Sequence, residues 1–330
     1  MFKIDILKSL FQTATAPPFV RMLHPVDILF VRHDVDCGYT YKNSAYSHII
    51  DSVADAAQSM GISSLTIASP YSVLVGNKAY GKPVCINRAY ASISLHTAIS
   101  TNINKAKKIF YARTNLWKRI LATVTPRIVI GIMPMRELCC AAHEIGISIY
   151  DIQHGIINDG PAWYKETLKN EVDEYTPSGF LCWDETAATT LDWASERGKL
   201  VHVIGNPWFS RFIQKNAYDA VVQESLSRAP LNDNGRKTIL VTLQSGLGRV
   251  FNDPNYYDIL PEALIQVISE FSDDYNWLLR LHPVQLRGTG KKRILSFLED
   301  RFGCDKRVLW KEPTCWPLPQ LLDICDLHIT

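Results

Sequence analysis

Residues 147–155, Ile147-Ser148-Ile149-Tyr150-Asp151-Ile152-Gln153-His154-Gly155, run apolar and then turn abruptly polar, with the loop Asn158-Asp159-Gly160 close behind. A short apolar run bounded by turn residues reads as a buried strand of a parallel sheet. In α/β proteins ligands lie beyond the carboxyl ends of such strands, so Gln153, His154 and Gly155 become candidates for a site. The plain alternative is a glycine turn beside a satisfied histidine.

Outward from this strand, apolar runs alternate with helical patterns over almost the whole chain, which predicts parallel α/β layers. Strands are expected at 27–31, 64–68, 127–131, 179–183 and 201–204, and helices at about 43–60, 104–124 and 135–145. The stretch from about 70 to 100 carries no decisive pattern. A polar, turn-rich connection at 228–235 marks a boundary. Three segments follow from it: residues 1–215 as a first Rossmann-like domain, 216–237 as a linker, and 238–330 as a second. The second repeats strand and helix through strands at 238–243, 277–281 and 308–310. It stops on a strand, Leu327-His328-Ile329-Thr330, so this domain is expected to be short of a covering layer.

The composition sets limits on partners. Thirty-five basic against 33 acidic residues give a net charge of +2, which exerts no bulk pull on nucleic acid, and any anion site must be local. The eight cysteines are scattered, without Cys-x-x-Cys spacing, as in a reduced cytoplasmic protein. The N-terminus has neither a signal-peptide pattern nor a membrane span; peripheral attachment to a membrane stays open.

Chemistry concentrates at strand ends. Deprotonating a sugar hydroxyl requires a carboxylate or a neutral imidazole, which makes Asp159 and His154 the candidate bases, with Asp151 a third. Spacing alone does not choose between them. The loop Gln244-Ser245-Gly246-Leu247-Gly248 can bring backbone N–H groups to an anionic oxygen, although it lacks the lysine and spacing of a P-loop. On the strand ending Arg280-Leu281-His282-Pro283, alternation puts Arg280 and His282 on one face, where they can neutralise a leaving phosphate. Asp184 reads as a helix cap. Arg32-His33-Asp34-Val35-Asp36 resembles the aspartate motif of metal-dependent polysaccharide deacetylases. No two of the nine histidines stand at His-x-x-x-His spacing, however, so neither a metal nor a cofactor is expected. The basic helix at 104–124 reads as a solvated face, with an anionic membrane or acceptor as its minority reading.

Five stretches in order resemble a known group. They are Asp151-Ile152-Gln153-His154-Gly155-Ile156-Ile157, Gly179-Phe180-Leu181-Cys182-Trp183-Asp184, His202-Val203-Ile204-Gly205-Asn206-Pro207, Leu279-Arg280-Leu281-His282-Pro283 and the tail from Pro319 to Thr330. Together they are similar to GT-B glycosyltransferases of bacterial surface-polysaccharide synthesis, including capsule, Kdo and sialic-acid transferases. The resemblance covers about residues 125 to 330. It implies two Rossmann-like domains facing a cleft, a nucleotide-sugar donor and a glycan acceptor. It also implies a CMP-sugar as donor, because His282-Pro283 resembles the His-Pro motif that contacts the donor nucleotide in such transferases. Donor contacts then fall to Gln244, Ser245, Gly246, Arg280, His282, Pro283 and Thr330, and cleft or acceptor contacts to Gln153, Gly155 and Asn206. His282 joins Asp159 and His154 as catalytic. Cytoplasmic placement, with peripheral contact at the inner membrane, completes this expectation. Two alternatives stand beside it: a sugar-nucleotide epimerase of the same fold, and a non-catalytic nucleotide- or glycan-binding remnant.

Overall fold

The computed structural model describes residues 7, 9–14, 16–99, 104–158, 163–214, 218–227, 235–244, 259–286 and 290–330. The chain forms two compact units, Met1–Ser210 and Arg211–Thr330. Each is an α/β layer structure around a parallel sheet, the Rossmann-like class expected from the alternating pattern.

In the first unit six strands pair in the order β4-β1-β5-β6-β7-β8, all parallel. They are β1 (Ile28–Arg32), β4 (Ser64–Ala68), β5 (Ile128–Gly131), β6 (Ser148–Ile152), β7 (Gly179–Cys182) and β8 (Leu200–Val203). The inner strands are buried on both faces, which is why they read as apolar runs without alternation. Among the helices before β6 are α1 (Ile50–Ser59), α2 (Asn87–Ile99), α3 (Lys105–Val124) and α4 (Arg136–Glu144). Trp117, Ile120 and Leu121 of α3 pack with Leu29, Val129 and Ile149 of the sheet in one core. Thr125 takes the left-handed conformation at φ 44° and returns its N–H to Leu121 O, and Pro126 follows, so α3 stops where the sequence says it must.

One expected helix is shorter than its pattern. Residues 39–46 form a hairpin of β2 (Tyr39–Tyr41) and β3 (Ser44–Tyr46) instead of the start of α1. Lys42 and Asn43 sit at φ 46° and 61°, the left-handed pair that a two-residue hairpin turn demands. Tyr39, Tyr41 and Tyr46 bury their rings beside it. Tertiary packing of aromatics here overrides helical periodicity.

Beyond β7 the first unit adds α5 (Glu185–Thr190), α6 (Asp192–Glu196) and α7 (Pro207–Gln214), the last straddling the division. Asp184 caps α5 as expected, accepting the Ala187 N–H at 2.7 Å. In the second unit β11 (Val308–Leu309), β10 (Asn276–Arg280), β9 (Thr238–Thr242) and β12 (Leu327–Ile329) pair in parallel, in that order. Ile239, Val241 and Leu243 face a core with Ile265 and Ile268 of α9 (Glu262–Glu270) and Leu298 of α10 (Lys291–Phe302). Leu240 and Leu278 point to the opposite face, against Leu321 of α12 (Leu318–Ile324). Helix α8 (Ala220–Ser227) belongs to this unit, and its buried Ser225 hydroxyl donates to Gln320 Oε1 at 2.5 Å. A short helix, α11 (Lys311–Cys315), precedes α12.

Candidate functional site

Polar side chains gather at the carboxyl edge of the first sheet, where β1 and β6 end. Asp151, the last polar residue of β6, is 2% exposed and accepts the Met133 N–H at 2.8 Å. The Tyr164 hydroxyl stands near its carboxyl. Burial pushes the Asp151 carboxyl up to about 7, against which the Met133 N–H and the Tyr164 hydroxyl pull only weakly. His154 follows at the strand exit, and burial lowers its ring below the ordinary histidine value. The charge of Asp36 opposes that shift, and His33 and His48 add to it. His154 is therefore a neutral imidazole at neutral pH, able to accept a proton.

Asp36 comes from the loop after β1. Its carboxylate lies 3.0 Å from His48 Nε2, accepts the Ile49 N–H at 3.0 Å and takes a short hydrogen bond from the Ser47 hydroxyl. Burial raises Asp36, but His48, Ser47 and Ile49 outweigh it and hold the group ionised. The same Ser47 oxygen accepts the Ile50 N–H at 3.1 Å, so the start of α1 and the carboxylate are fixed together. The His48 ring stands 6.3 Å from the Trp208 ring of α7.

Sequence reading missed this Asp36–His48 pair. Asp36 enters the sequence reading only through the deacetylase-like motif, which lacks its histidine pair, and His48 carries no local signal. Eleven residues lie between the partners, and the intervening hairpin brings them together. Arg32 and Asp34 of the motif hold the fold. Arg32 is buried against Asp51 at 3.1 Å, and Asp34 ties down Ser72 and Val73.

Of the other first-unit candidates, Gln153 is 3% exposed and spends its amide on backbone. Its Oε1 accepts the Trp183 N–H at 2.6 Å and its Nε2 donates to Gly155 O at 2.9 Å, joining the ends of β6 and β7. Gly155 is exposed, and a Cβ there would meet nothing within 4 Å. Asn206 caps α7, its Oδ1 accepting the Trp208 and Phe209 N–H groups at 3.0 and 3.1 Å. Asp159 lies outside the described residues.

The carboxyl edge of the second sheet carries the other candidates. Gln244 Nε2 donates to the Thr330 hydroxyl at 3.1 Å, so the ends of β9 and β12 meet. Gln285, which no motif singles out, clamps this edge. Its Oε1 accepts the His282 N–H at 2.7 Å and its Nε2 donates to Gln244 O at 3.3 Å. Arg280 Nη1 donates to the carbonyls of Pro313 at 2.5 Å, of Thr314 at 3.4 Å and, at a very short distance, of Trp316. That nitrogen thus closes the carboxyl end of α11, and burial lowers the guanidinium to about 10. Pro283 begins the turn after His282. Ser245 and Gly246 lie outside the described residues.

No helix among the described residues is long and apolar enough to cross a membrane. No protein-family model matches the sequence, and no curated protein matches it. Among solved structures, the UDP-GlcNAc 2-epimerase of Neisseria meningitidis bound to UDP-GlcNAc is similar at TM-score 0.50 and 12% identity, over 91% of this chain and 76% of that one. A putative UDP-N-acetylglucosamine 2-epimerase of Listeria monocytogenes is similar at TM-score 0.50 and 12% identity, over 92% and 73%. At such identity the likeness shows the fold: two Rossmann-like units of the GT-B kind.

Proposed function

We propose that the chain is a sugar-nucleotide enzyme that moves a proton on the sugar of a uridine nucleotide, as an epimerase does. The carboxyl edge of the second sheet holds the nucleotide in this reading, and the edge of the first sheet does the chemistry. One observation carries it: a neutral imidazole, His154, shares an edge with an ionised carboxylate, Asp36, that is paired to His48. In this reading His154 takes a proton from the sugar carbon beside the nucleotide-bearing one, and the electron pair of that C–H bond expels the nucleotide diphosphate as a double bond forms. The reverse addition brings a proton to the other face from His48, held against the Asp36 carboxylate. His154 is the base in this reading. Asp159, the other candidate from the sequence, remains an alternative for a transferase.

The fold likeness to a protein bound to UDP-GlcNAc moves the first choice of ligand from a cytidine to a uridine nucleotide. Glycosyl transfer to a surface glycan is the second reading, favoured by the order of the five motifs from Asp151 to Thr330. In it Gln244, Ser245, Gly246, His282, Pro283 and Thr330 hold the donor. Arg280 contributes only what its α11 contacts leave over.

Thermal shifts with UDP, UDP-N-acetylglucosamine, CMP and GDP test the ligand. A ligand at about 100 times its Kd adds about 2.7 kcal/mol of stability, a readable rise in Tm. The uridine compounds are expected to give that rise. A rise with CMP alone returns the donor to a CMP-sugar, and no rise with any nucleotide contradicts both readings.

A further inference from the structure

Strand β5 lies in the first sheet between β1, whose exit leads to Asp36, and β6, whose exit carries His154. Gly131 ends β5 level with Val31 of β1 and Asp151 of β6, so the residues after it leave the carboxyl edge between those two exits. They turn tightly. A Cβ on Gly131 would lie 3.3 Å from Val31 Cβ and 3.7 Å from Pro134 Cβ, and Ile132 and Pro134 are buried. Met133 between them is 37% exposed and takes the left-handed conformation at φ 45°.

That conformation costs a residue with a Cβ free energy that glycine does not lose. Lys42 and Asn43 accept it to turn a hairpin, and Thr125 to end α3. Met133 does neither, yet a buried acid is committed to holding it there: the Asp151 carboxyl, 2% exposed, accepts the Met133 N–H at 2.8 Å. Glycine would make the same turn without strain and without a thioether in solvent. The side chain therefore serves something other than the fold, and strain of this kind gathers where ligands bind.

We infer that Met133 is the apolar seat for the pyranose ring of the sugar nucleotide, with Asp151 the positioning residue that holds it in place. Small-molecule sites combine apolar lining with a few placed polar groups. Asp36, His48 and His154 supply polar groups at this edge, and Met133 supplies apolar surface between the strand exits that carry them. A pyranose presents a face of C–H groups, to which a long, unbranched thioether adapts readily. This seat rests on the epimerase reading, in which a sugar ring reaches His154.

Calorimetric titration of the intact protein with UDP and with UDP-N-acetylglucosamine tests this in wild type, Met133→Ala, Met133→Gly and Met133→Leu. Both truncations are expected to raise the Kd for UDP-N-acetylglucosamine about tenfold and to leave that for UDP unchanged. Met133→Leu, which restores apolar surface, should recover most of the affinity. Met133→Gly should also melt above Met133→Ala, because glycine alone meets this φ without strain. An unchanged Kd for the sugar nucleotide in both truncations overturns the seat and leaves the epimerase reading standing. Equal weakening of UDP, or the reverse melting order, overturns the seat as well. A wild type that binds neither compound takes down the epimerase reading and the seat together.

Discussion

Asp151 has almost no water around it, and its protonation state sets a testable pH dependence. An aspartate in the unfolded chain titrates near 3.8, whereas burial pushes this one up to about 7. Between those values the unfolded state has released a proton that the folded state still holds, so stability falls as pH rises, by about 1.4 kcal/mol per unit at most. Asp151→Asn keeps the acceptor for the Met133 N–H and removes the titration. Its melting temperature should gain on wild type from pH 4 to pH 7 and keep a constant lead above. A difference that does not vary with pH would show the carboxyl to be ionised throughout. His154 makes the converse case. As a base it should sustain turnover down to a pH below the 6.5 of an ordinary histidine. His154→Gln should cut turnover about 100-fold or more while leaving nucleotide thermal shifts intact; full turnover would move the base to another residue. At this scale the sequence offers His154 and Asp151 as candidates, because polar groups end an otherwise apolar strand there. It could not supply Asp36 with His48, because that contact is made across a hairpin and is absent from any local pattern.

Elements show the same division. Strands β6 and β9 were legible because buried parallel strands are nearly continuous apolar runs, and α3 because Pro126 and the period of its apolar residues bound it. The β2–β3 hairpin was not, since its residues also fit a helix and only the left-handed pair Lys42 and Asn43 betrays the turn. Gln153, Arg280 and Asn206 looked like ligand contacts because they are polar groups at strand ends. The structure spends their side chains on neighbouring backbone, which must also be satisfied there. A glycine makes the sharpest test of an element. At Gly179 in β7 a Cβ would lie 2.5 Å from Leu200 O and 2.8 Å from the Tyr150 ring. Gly179→Ala must push β7 from β8 or displace Tyr150, at a cost of about 1–3 kcal/mol or more. Urea denaturation reads this directly, and a wild-type midpoint would refute the close approach.

For the whole molecule, alternation of strands and helices was enough to predict two Rossmann-like α/β units. Function was less legible, because one fold hosts several sugar-nucleotide reactions and only the site separates them. The central question is whether the first unit transfers protons on a nucleotide-bound sugar. Proton NMR of UDP-N-acetylglucosamine incubated with the protein in deuterium oxide, without acceptor, answers it. The signal of the sugar C2 proton is expected to disappear as deuterium replaces it while a second epimer builds up, both slowed in His154→Gln. An unchanged sugar, with its C2 proton retained over many equivalents of time, would contradict it.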